Sequence, residues 1–313
     1  MTTLIRMRRS AGIIFVALAA AMWGTDALFR KPLADSTSVA TIVFGEHLVL
    51  AAITLPLLIP ALIGVWRLGW RYVLAAVAIG AGASAVATIL FTQAFVDGGF
   101  KNVVTIVMVQ KVQPLVAVIG AAIILGERPR PRFALYFGAA LVGTWLIAFS
   151  SPTHLDVHGV LVPVLYALGA AVLWAFGTVL GRYLTQKLPF HHVLTLRFGF
   201  GLPASAIALL VLGGPAFASA HDSLWITILA LVTGLFALSL YYYGLRTTPA
   251  VAATLAELAF PVTAAIVGYV AFDATLTSTQ WLGVAITTVV VALLPVRPRD
   301  TVEVVPAPTP APA

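Results

Sequence analysis

The chain of 313 residues contains no cysteine, and only 9% of its residues are charged. Without cysteine there can be no disulfide bond and no thiolate metal site. Soluble domains carry roughly 25% charged residues, whereas 61% of this chain is hydrophobic. No water-soluble fold can bury so much apolar surface, so we expect the chain to lie in a lipid bilayer.

Sequence motifs of several enzyme classes are also absent. There is no Gly-x-x-x-x-Gly-Lys-Ser/Thr loop for a nucleotide. The acids are scattered singly, and His191-His192 has no third metal ligand beside it. An enzyme in the membrane needs paired acids, a metal cluster or a nucleophile. We therefore expect no catalytic residue, no cofactor and no metal, and an enzyme acting on a lipid-linked substrate is kept as an alternative.

Long apolar runs fill most of the chain. A spanning helix needs about 20 apolar residues, so the sequence predicts an all-α integral membrane protein with ten transmembrane helices. Their ranges are 11–29, 38–62, 71–95, 102–125, 133–150, 159–181, 190–212, 224–245, 249–271 and 279–296. The breaks are short, so no soluble domain is inserted. Segment 1–10 precedes the first span, and the Pro- and Ala-rich tail 297–313 is expected to be disordered, because proline removes backbone donors.

The basic residues are distributed unevenly between the breaks. A net charge of +7 would suggest nucleic acid in a soluble protein, but here we interpret the charges as topology signals and expect no nucleic-acid partner. The termini and even-numbered breaks hold thirteen Lys and Arg, and the odd-numbered breaks hold three, Arg30, Lys31 and Lys101. Because basic loops stay in the cytoplasm, we expect both termini to be cytoplasmic in a bacterial-type inner membrane.

The two halves of the chain repeat each other. Trp23 precedes Glu46 by 23 residues, and Trp174 precedes Arg197 by the same 23. Such repetition of apolar helices is typical of secondary transporters. Cleavage of 1–29 as a signal peptide would remove Trp23 and destroy the repeat, so we expect the first span to remain.

The repeat continues at two prolines. Pro114 lies 91 residues after the first tryptophan, and Pro261 lies 87 residues after the second. The repeats are 11–150 and 159–296, with five spans each. Since five is odd, the second repeat enters the membrane upside down. This predicts an inverted repeat around a shared central cavity.

Several short stretches resemble one transporter family. They are Met22-Trp23-Gly24-Thr25, Pro114 to Arg128, Leu173-Trp174-Ala175, Arg197-Phe198, Tyr242-Tyr243-Gly244-Leu245 and Pro261 to Gly283. In their order and spacing the chain resembles the ten-helix drug/metabolite transporter superfamily, in its EamA-type branch, over about residues 11–296. The resemblance implies two five-helix repeats, a central cavity, and alternating-access movement of small organic metabolites, often outward.

The chain departs from the family pattern at two places. Phe272-Asp273-Ala274 stands where the second repeat usually ends helix nine with a glutamate after a small residue. Glu46, followed by His47, stands where the family has an arginine early in helix two. The resemblance therefore indicates transport but does not identify the cargo.

Two charged residues lie deep within predicted spans. With a rise of about 1.5 Å per residue, Glu257 is roughly 12 Å, and Lys111 roughly 13 Å, from the nearer span end. Gln110 and Glu257 each precede a repeat proline by four residues, at corresponding sites. We expect Glu257 and Lys111 to line the cavity, with Glu257 binding a cationic group or a coupling proton and Lys111 an anionic group. The alternative is a structural ion pair.

Other residues have two interpretations each. Glu46 is a proton-coupling acid or a structural acid. Trp23 and Trp174 form cavity wall or helix packing. Asp26 pairs with Arg30 at i,i+4 or serves as an outer gate. We also expect a salt bridge or gate latch at Glu127-Arg128, an interfacial belt at Tyr241 to Tyr243 and a packing role for His47. The long side chain of Arg197 can reach the inner surface, and a substrate role is its alternative.

Taken together, the sequence predicts a secondary active transporter for a small polar or amphipathic metabolite, amino-acid-like or drug-like. We expect export by alternating access, driven by a proton or substrate gradient. The candidate substrate-binding residues are Trp23, Glu46, Gln110, Lys111, Trp174 and Glu257. A passive facilitator or channel is the main alternative, although a channel favours rings of like residues. The expected partners are a small-molecule substrate and the bilayer, and the protein is expected to be a monomer or homodimer.

Overall fold

The computed structural model describes residues 2–33, 36–97, 112–148, 161–272, 275–294 and 302–304. Within them, seven helical segments are long and apolar enough to cross a membrane, and three further apolar helices are shorter. In chain order these segments are α1 (Ala11–Leu33), α2 (Val39–Leu68), α3 (Trp70–Ala94), α4 (Gln113–Leu125), α5 (Pro131–Ile147), α6 (Leu161–Thr185), α7 (Phe190–Leu212), α8 (Ala220–Leu245), α9 (Ala250–Ala271) and α10 (Ser278–Leu293).

Several segments combine more than one kind of helix. The α-helical stretches are Thr2–Trp23, Asp26–Arg30, Val39–Thr54, Leu58–Leu68, Trp70–Val77, Ala87–Asp97, Gln113–Leu125, Pro131–Ala148, Leu161–Thr185, Phe190–Leu212, Ala220–Leu229, Ala237–Leu245, Ala250–Ala256, Ala259–Ala271 and Ser278–Leu293. Lys31–Leu33 and Leu55–Leu57 are 3₁₀ turns, and Ala78–Val86 and Ala230–Phe236 are π-helical. Pro56 lies within the second 3₁₀ turn, where its missing N–H interrupts α2.

One pair of short strands accompanies these helices. β1, Glu127–Pro129, pairs antiparallel with β2, Val302–Val304, with Glu127 opposite Val304. These three residues belong to the tail 297–313, whose expected disorder stays a prediction. The backbone of β1 has donors and acceptors outside any helix, and β2 satisfies them.

The two π-helical stretches lie at corresponding places in the two halves of the chain. Ala78–Val86 lies within α3, the third segment of the first half, and Ala230–Phe236 lies within α8, the third segment of the second half. A π turn takes one carbonyl out of the regular helical ladder and is frequent at functional sites. Each stretch here offers a carbonyl, of Ala83 or Thr233, to a side chain from another helix.

Glycines allow the helices to cross closely. A Cβ at Gly283 in α10 would lie 2.5 Å from the carbonyl oxygen of Gly143 in α5. A Cβ at Gly244 in α8 would lie 2.5 Å from the carbonyl oxygen of Gly12 in α1. In α3, a Cβ at Gly80 would lie 2.8 Å from a carbonyl oxygen of α7, so these two helices also cross closely. Small residues at crossings are characteristic of membrane helices.

The outer surface of the bundle is apolar. Leu210 is 84% exposed, Ile123 is 78% exposed and Trp66 is 76% exposed. The interior is also apolar, with small and aliphatic side chains such as Ala175 and Leu255 fully buried. Helices that are hydrophobic all round belong in a membrane, so the fold is that of a multi-pass membrane protein.

Candidate functional site

Glu257 stands where α9 is interrupted. The helix Ala250–Ala256 ends just before it, and Ala259–Ala271 begins two residues later. Pro261 has no N–H to donate to the Glu257 carbonyl four residues earlier. That carbonyl accepts instead from the N–H of Phe260 at 3.0 Å, so the proline breaks the helix without leaving the carbonyl free. The break turns the Glu257 side chain toward α4, α6 and α8.

Three side chains from these helices donate hydrogen bonds to the Glu257 carboxylate. The hydroxyls of Tyr241 and Thr178 donate to Oε1 at 2.7 and 3.1 Å, and Nε2 of Gln113 donates to Oε2 at 2.9 Å. The two hydroxyls lie 2.7 Å from each other. We call Gln113, Thr178, Tyr241 and Glu257 the Glu257 cluster.

All donors in the Glu257 cluster are neutral. Among the described residues, no Lys or Arg forms an ion pair with Glu257. A buried carboxylate without a cation retains most of its desolvation cost, because neutral hydrogen bonds only partly replace water. The arrangement can therefore hold either a protonated carboxyl or a carboxylate that a cationic group approaches.

Trp23 lies beside the Glu257 cluster. Its indole ring is 5.1 Å from the ring of Tyr241, at an interplanar angle of 49°. Its Nε1 donates to the Thr233 carbonyl in the π-helical stretch of α8 at 3.0 Å. The tryptophan thus joins α1 to α8 and places an aromatic face next to the tyrosine that binds Glu257.

Glu46 belongs to a different cluster. It lies 3.1 Å from Nη1 of Arg30, which also pairs with Asp26. The predicted i,i+4 pair between Asp26 and Arg30 is therefore present, and Glu46 adds a second carboxylate to the same guanidinium. The Thr233 hydroxyl donates to Asp26 at 3.3 Å, while its carbonyl accepts from Trp23, so this cluster is linked to the Glu257 cluster through one threonine.

Of the other predicted site residues, the structure describes Trp174. The Trp174 ring packs edge-on against Phe91 at 5.0 Å. It lies one helical turn before Thr178 on the same face of α6, and a cavity role for it stays a prediction. Gln110 and Lys111 lie outside the described residues. Their predicted roles stay predictions as well.

Two tyrosines lie elsewhere than the sequence suggested. Tyr241 is 4% exposed and Tyr242 is 0% exposed, whereas Tyr243 is 46% exposed. The predicted interfacial belt is thus wrong for the first two, since their hydroxyls bond inside the bundle to Glu257 and Arg197. His47 is a satisfied packing residue as expected, with ring nitrogens bonded to Val43 and Ser84.

At the end of α4, Glu127 is buried in a network of charges and backbone groups. Gly126 adopts φ 66° and ends the helix in the left-handed region that favours glycine. Oε1 of Glu127 lies 3.6 Å from Nε of Arg182, and Oε2 accepts from the N–H of Val251 at 3.2 Å. Nη1 of Arg182 also donates to the Leu245 carbonyl at 2.8 Å.

This network ties the ends of α4, α6 and α8 to the first turn of α9. Burial raises the pKa of the Glu127 carboxyl above its ordinary value, while the Val251 N–H and the Arg182 guanidinium act in the opposite direction. Glu127 thus has an ion-pair partner in Arg182, and a latch role for Glu127-Arg128 stays a prediction. Among the described residues, no group of three or more His, Asp or Glu could hold a metal ion.

Comparisons with known proteins agree with this architecture. The EamA-like transporter family model matches residues 10–149 and again residues 161–295. The riboflavin transporter ImpX of Fusobacterium nucleatum is 28% identical over 273 residues, which are 82% of this chain and 88% of that protein. The uncharacterized transporter YwfM of Bacillus subtilis is 28% identical over 298 residues, 91% of this chain and 94% of its own length.

A protein of known crystal structure shares the fold. Its TM-score is 0.71 at 19% sequence identity, and the match covers 91% of this chain and 98% of the other. The family match covers both halves of the chain separately. The chain therefore belongs to the EamA-like transporter family.

Proposed function

We propose that the protein is a secondary active transporter that moves a small polar or amphipathic metabolite by alternating access, with Glu257 as the site of a proton or of the substrate's cationic group. The main support for this proposal is the Glu257 cluster. In it, three neutral side chains from three other helices donate hydrogen bonds to a carboxylate at a helix break.

The proposed architecture is ten membrane-spanning helices in two inverted five-helix repeats. Three features support it: the family model matches twice, five apolar segments fall in each half, and α3 and α8 carry π-helical stretches at equivalent places. The distribution of basic residues supports cytoplasmic termini in an inner membrane. The short described length of α4 and α5 does not oppose this, because adjoining residues lie outside the described ranges.

The cost of an isolated charge explains why Glu257 would couple to cargo. An ionised side chain at the bilayer centre costs about 2.5–3.5 kcal/mol or more. A proton or a cationic substrate group removes that cost, so the helices can rearrange around Glu257 when it is occupied and not when it is empty. The aromatic faces of Trp23 and Tyr241 would contact the apolar part of the cargo.

The transport class can be tested before the cargo is identified. Metabolite profiles of cells with and without the protein identify candidates, and riboflavin is the first compound to include because the ImpX relative is named for it. The purified protein is then reconstituted in liposomes, and uptake of labelled compound is measured with and without unlabelled compound inside. A carrier accelerates uptake when the far side is loaded. Equal rates would instead support the passive facilitator.

The same vesicles test direction and coupling. We expect net export, the common direction in the family, with substrate movement coupled to protons. An imposed pH gradient should change the steady-state substrate ratio across the membrane. A ratio that is insensitive to the gradient would exclude proton coupling, and would leave Glu257 only the role of binding a cationic group.

A further inference from the structure

Arg197 on α7 is turned into the helical bundle. Its Nη1 donates to the Tyr242 hydroxyl at 3.1 Å, and its Nη2 donates to the Ala83 carbonyl at 3.1 Å. These two neutral acceptors hold the guanidinium between α3 and α8, and a reach of its stem to the inner surface stays a prediction. The π-helical stretch of α3 presents a carbonyl within reach of the guanidinium, and Tyr242, which is fully buried, provides a second acceptor.

Part of the Arg197 guanidinium has no hydrogen-bond acceptor among the residues that the structure describes. An arginine side chain carries five N–H groups, and two hydrogen bonds are accounted for above. The buried Nε of Arg197 has no hydrogen-bond partner within the described ranges. No carboxylate of the described residues forms an ion pair with Arg197. A buried cation held only by neutral acceptors lacks its counter-charge, which is a costly state inside a membrane.

On each of two helices, α8 and α6, Arg197 and Glu257 contact residues that are adjacent in the sequence. On α8, Tyr242 binds Arg197 and Tyr241 binds Glu257, and their rings are 5.5 Å apart. On α6, a Cβ at Gly177 would lie 4.0 Å from Nη1 of Arg197, and the next residue, Thr178, binds Glu257. A cation and an anion, each without a charged partner among the described residues, thus face the same two helices.

We propose that Arg197 binds the carboxylate of the transported substrate, which makes carboxylate-bearing metabolites the substrate class. The Nε edge of a guanidinium donates two parallel hydrogen bonds to a carboxylate, and lysine cannot reproduce this geometry. A zwitterion would place its carboxylate at Arg197 and its amine at Glu257. This inference rests on the proposed transport function, and the amine part rests on the role given to Glu257.

The test uses two probes that differ only in charge at one group, benzoate and benzamide. The unfolding temperature of the full-length protein in lipid nanodiscs is measured with each. We expect saturating benzoate to raise it by about 3 °C and benzamide to leave it unchanged. R197Q should abolish the benzoate shift. R197K keeps the positive charge, and we expect it to fold. Its benzoate shift should still fall by at least half, because lysine cannot donate the two parallel hydrogen bonds.

Several results would overturn the inference. Benzoate could act no better than benzamide on the wild type, or its shift could persist in R197Q or in R197K at full size. A shift with inorganic phosphate or chloride but not with benzoate would mark a site for a free anion, and this too contradicts the proposal. If R197Q does not fold, the size of the benzoate shift in R197K decides whether the inference stands.

E257Q separates this inference from the proposed function. Its benzoate shift should match that of the wild type, because Arg197 is untouched. Normal transport by E257Q with an intact benzoate shift would reject the role of Glu257 and retain the carboxylate site. Impaired transport by E257Q, together with no benzoate shift in the wild type, would retain the role of Glu257 and reject the carboxylate site.

Discussion

Glu127 is buried and Glu257 is half-buried, and the groups around the two carboxylates differ in charge. Glu127, 1% exposed, has the Arg182 guanidinium 3.6 Å away and the N–H of Val251 at the start of α9. Glu257, farther along the same helix, is bonded to two hydroxyls and an amide. Glu127 therefore has a cationic partner, and Glu257 has none among the residues that the structure describes.

The difference separates a structural acid from an acid that can act. A paired charge with a helix N-terminus is satisfied without a ligand. A membrane acid that has only neutral donors gains most when a proton or cation arrives. The N–H of Val251 in the first turn of α9 donates to Glu127, and the same helix is interrupted at Glu257. In the proposed mechanism, the first turn stays fixed and the interruption is the part that responds to a proton or cation. Glu46 belongs with Glu127 in this respect, since Arg30 compensates it.

The first prediction concerns the side of the membrane on which the Glu127 network lies, and its effect is all or none. Cysteine at Arg130 should react with an impermeant thiol reagent only from inside, and cysteine at Ser219 only from outside. Both positions are exposed, and the chain has no native cysteine to react in the background. Labelling of whole cells and of inverted vesicles checks this. Reversed labelling would place Glu127 at the outer end and overturn the orientation.

The next prediction contrasts the two glutamates directly. E257Q should lower the initial transport rate by more than about tenfold, because the amide can neither bind a proton nor attract a cation. E127Q should stay within about threefold of the wild type, since burial already offsets much of its attraction to Arg182. Rates in proteoliposomes are compared per folded protein, with gel filtration as the check on folding. Normal transport by E257Q would remove this residue from the mechanism.

Features of these sites that depend on residues close together in the sequence could be predicted. Pro261 marks the interruption of α9, and the Asp26–Arg30 pair follows from i,i+4 spacing, because both depend on residues within one helical turn. The predicted depth of Glu257 rests on helical rise alone and stays a prediction. The resemblance to the transporter superfamily, carried by the order of many short stretches, is confirmed by the family match.

The partners of the acids could not be derived in the same way. Gln113, Thr178 and Tyr241 lie 144, 79 and 16 residues from Glu257 in the sequence. Their convergence depends on how α4, α6, α8 and α9 pack, which no local pattern encodes. The pairing of Arg182 with Glu127 also depends on helix packing, because the two residues lie on different elements. The run of three tyrosines near a helix end likewise does not indicate that two of the rings are buried.

A smaller effect should come from one donor of the Glu257 cluster. Y241F removes a hydroxyl from Oε1 but keeps the ring against Trp23, and Thr178 still donates. We expect transport to fall about fivefold, the size of one hydrogen bond worth about 1 kcal/mol. Y243F is the matched control, because that neighbouring side chain is 46% exposed, and it should transport normally. Equal losses in both variants would show that the effect is not specific to Glu257.

The smallest expected effect is a pH dependence of stability at Glu127. Its folded-state pKa is raised, chiefly by burial, so the folded protein binds this proton more tightly than the unfolded chain does. Stability therefore falls as pH rises from the ordinary glutamate value, about 4.3, through the raised value. E127Q lacks this proton, so the unfolding temperature of the wild type should fall relative to that of E127Q as the pH increases across this window. A difference that rises with pH instead would mean that Arg182 and the Val251 N–H outweigh burial, and Glu127 would then stabilise the fold as an ionised partner.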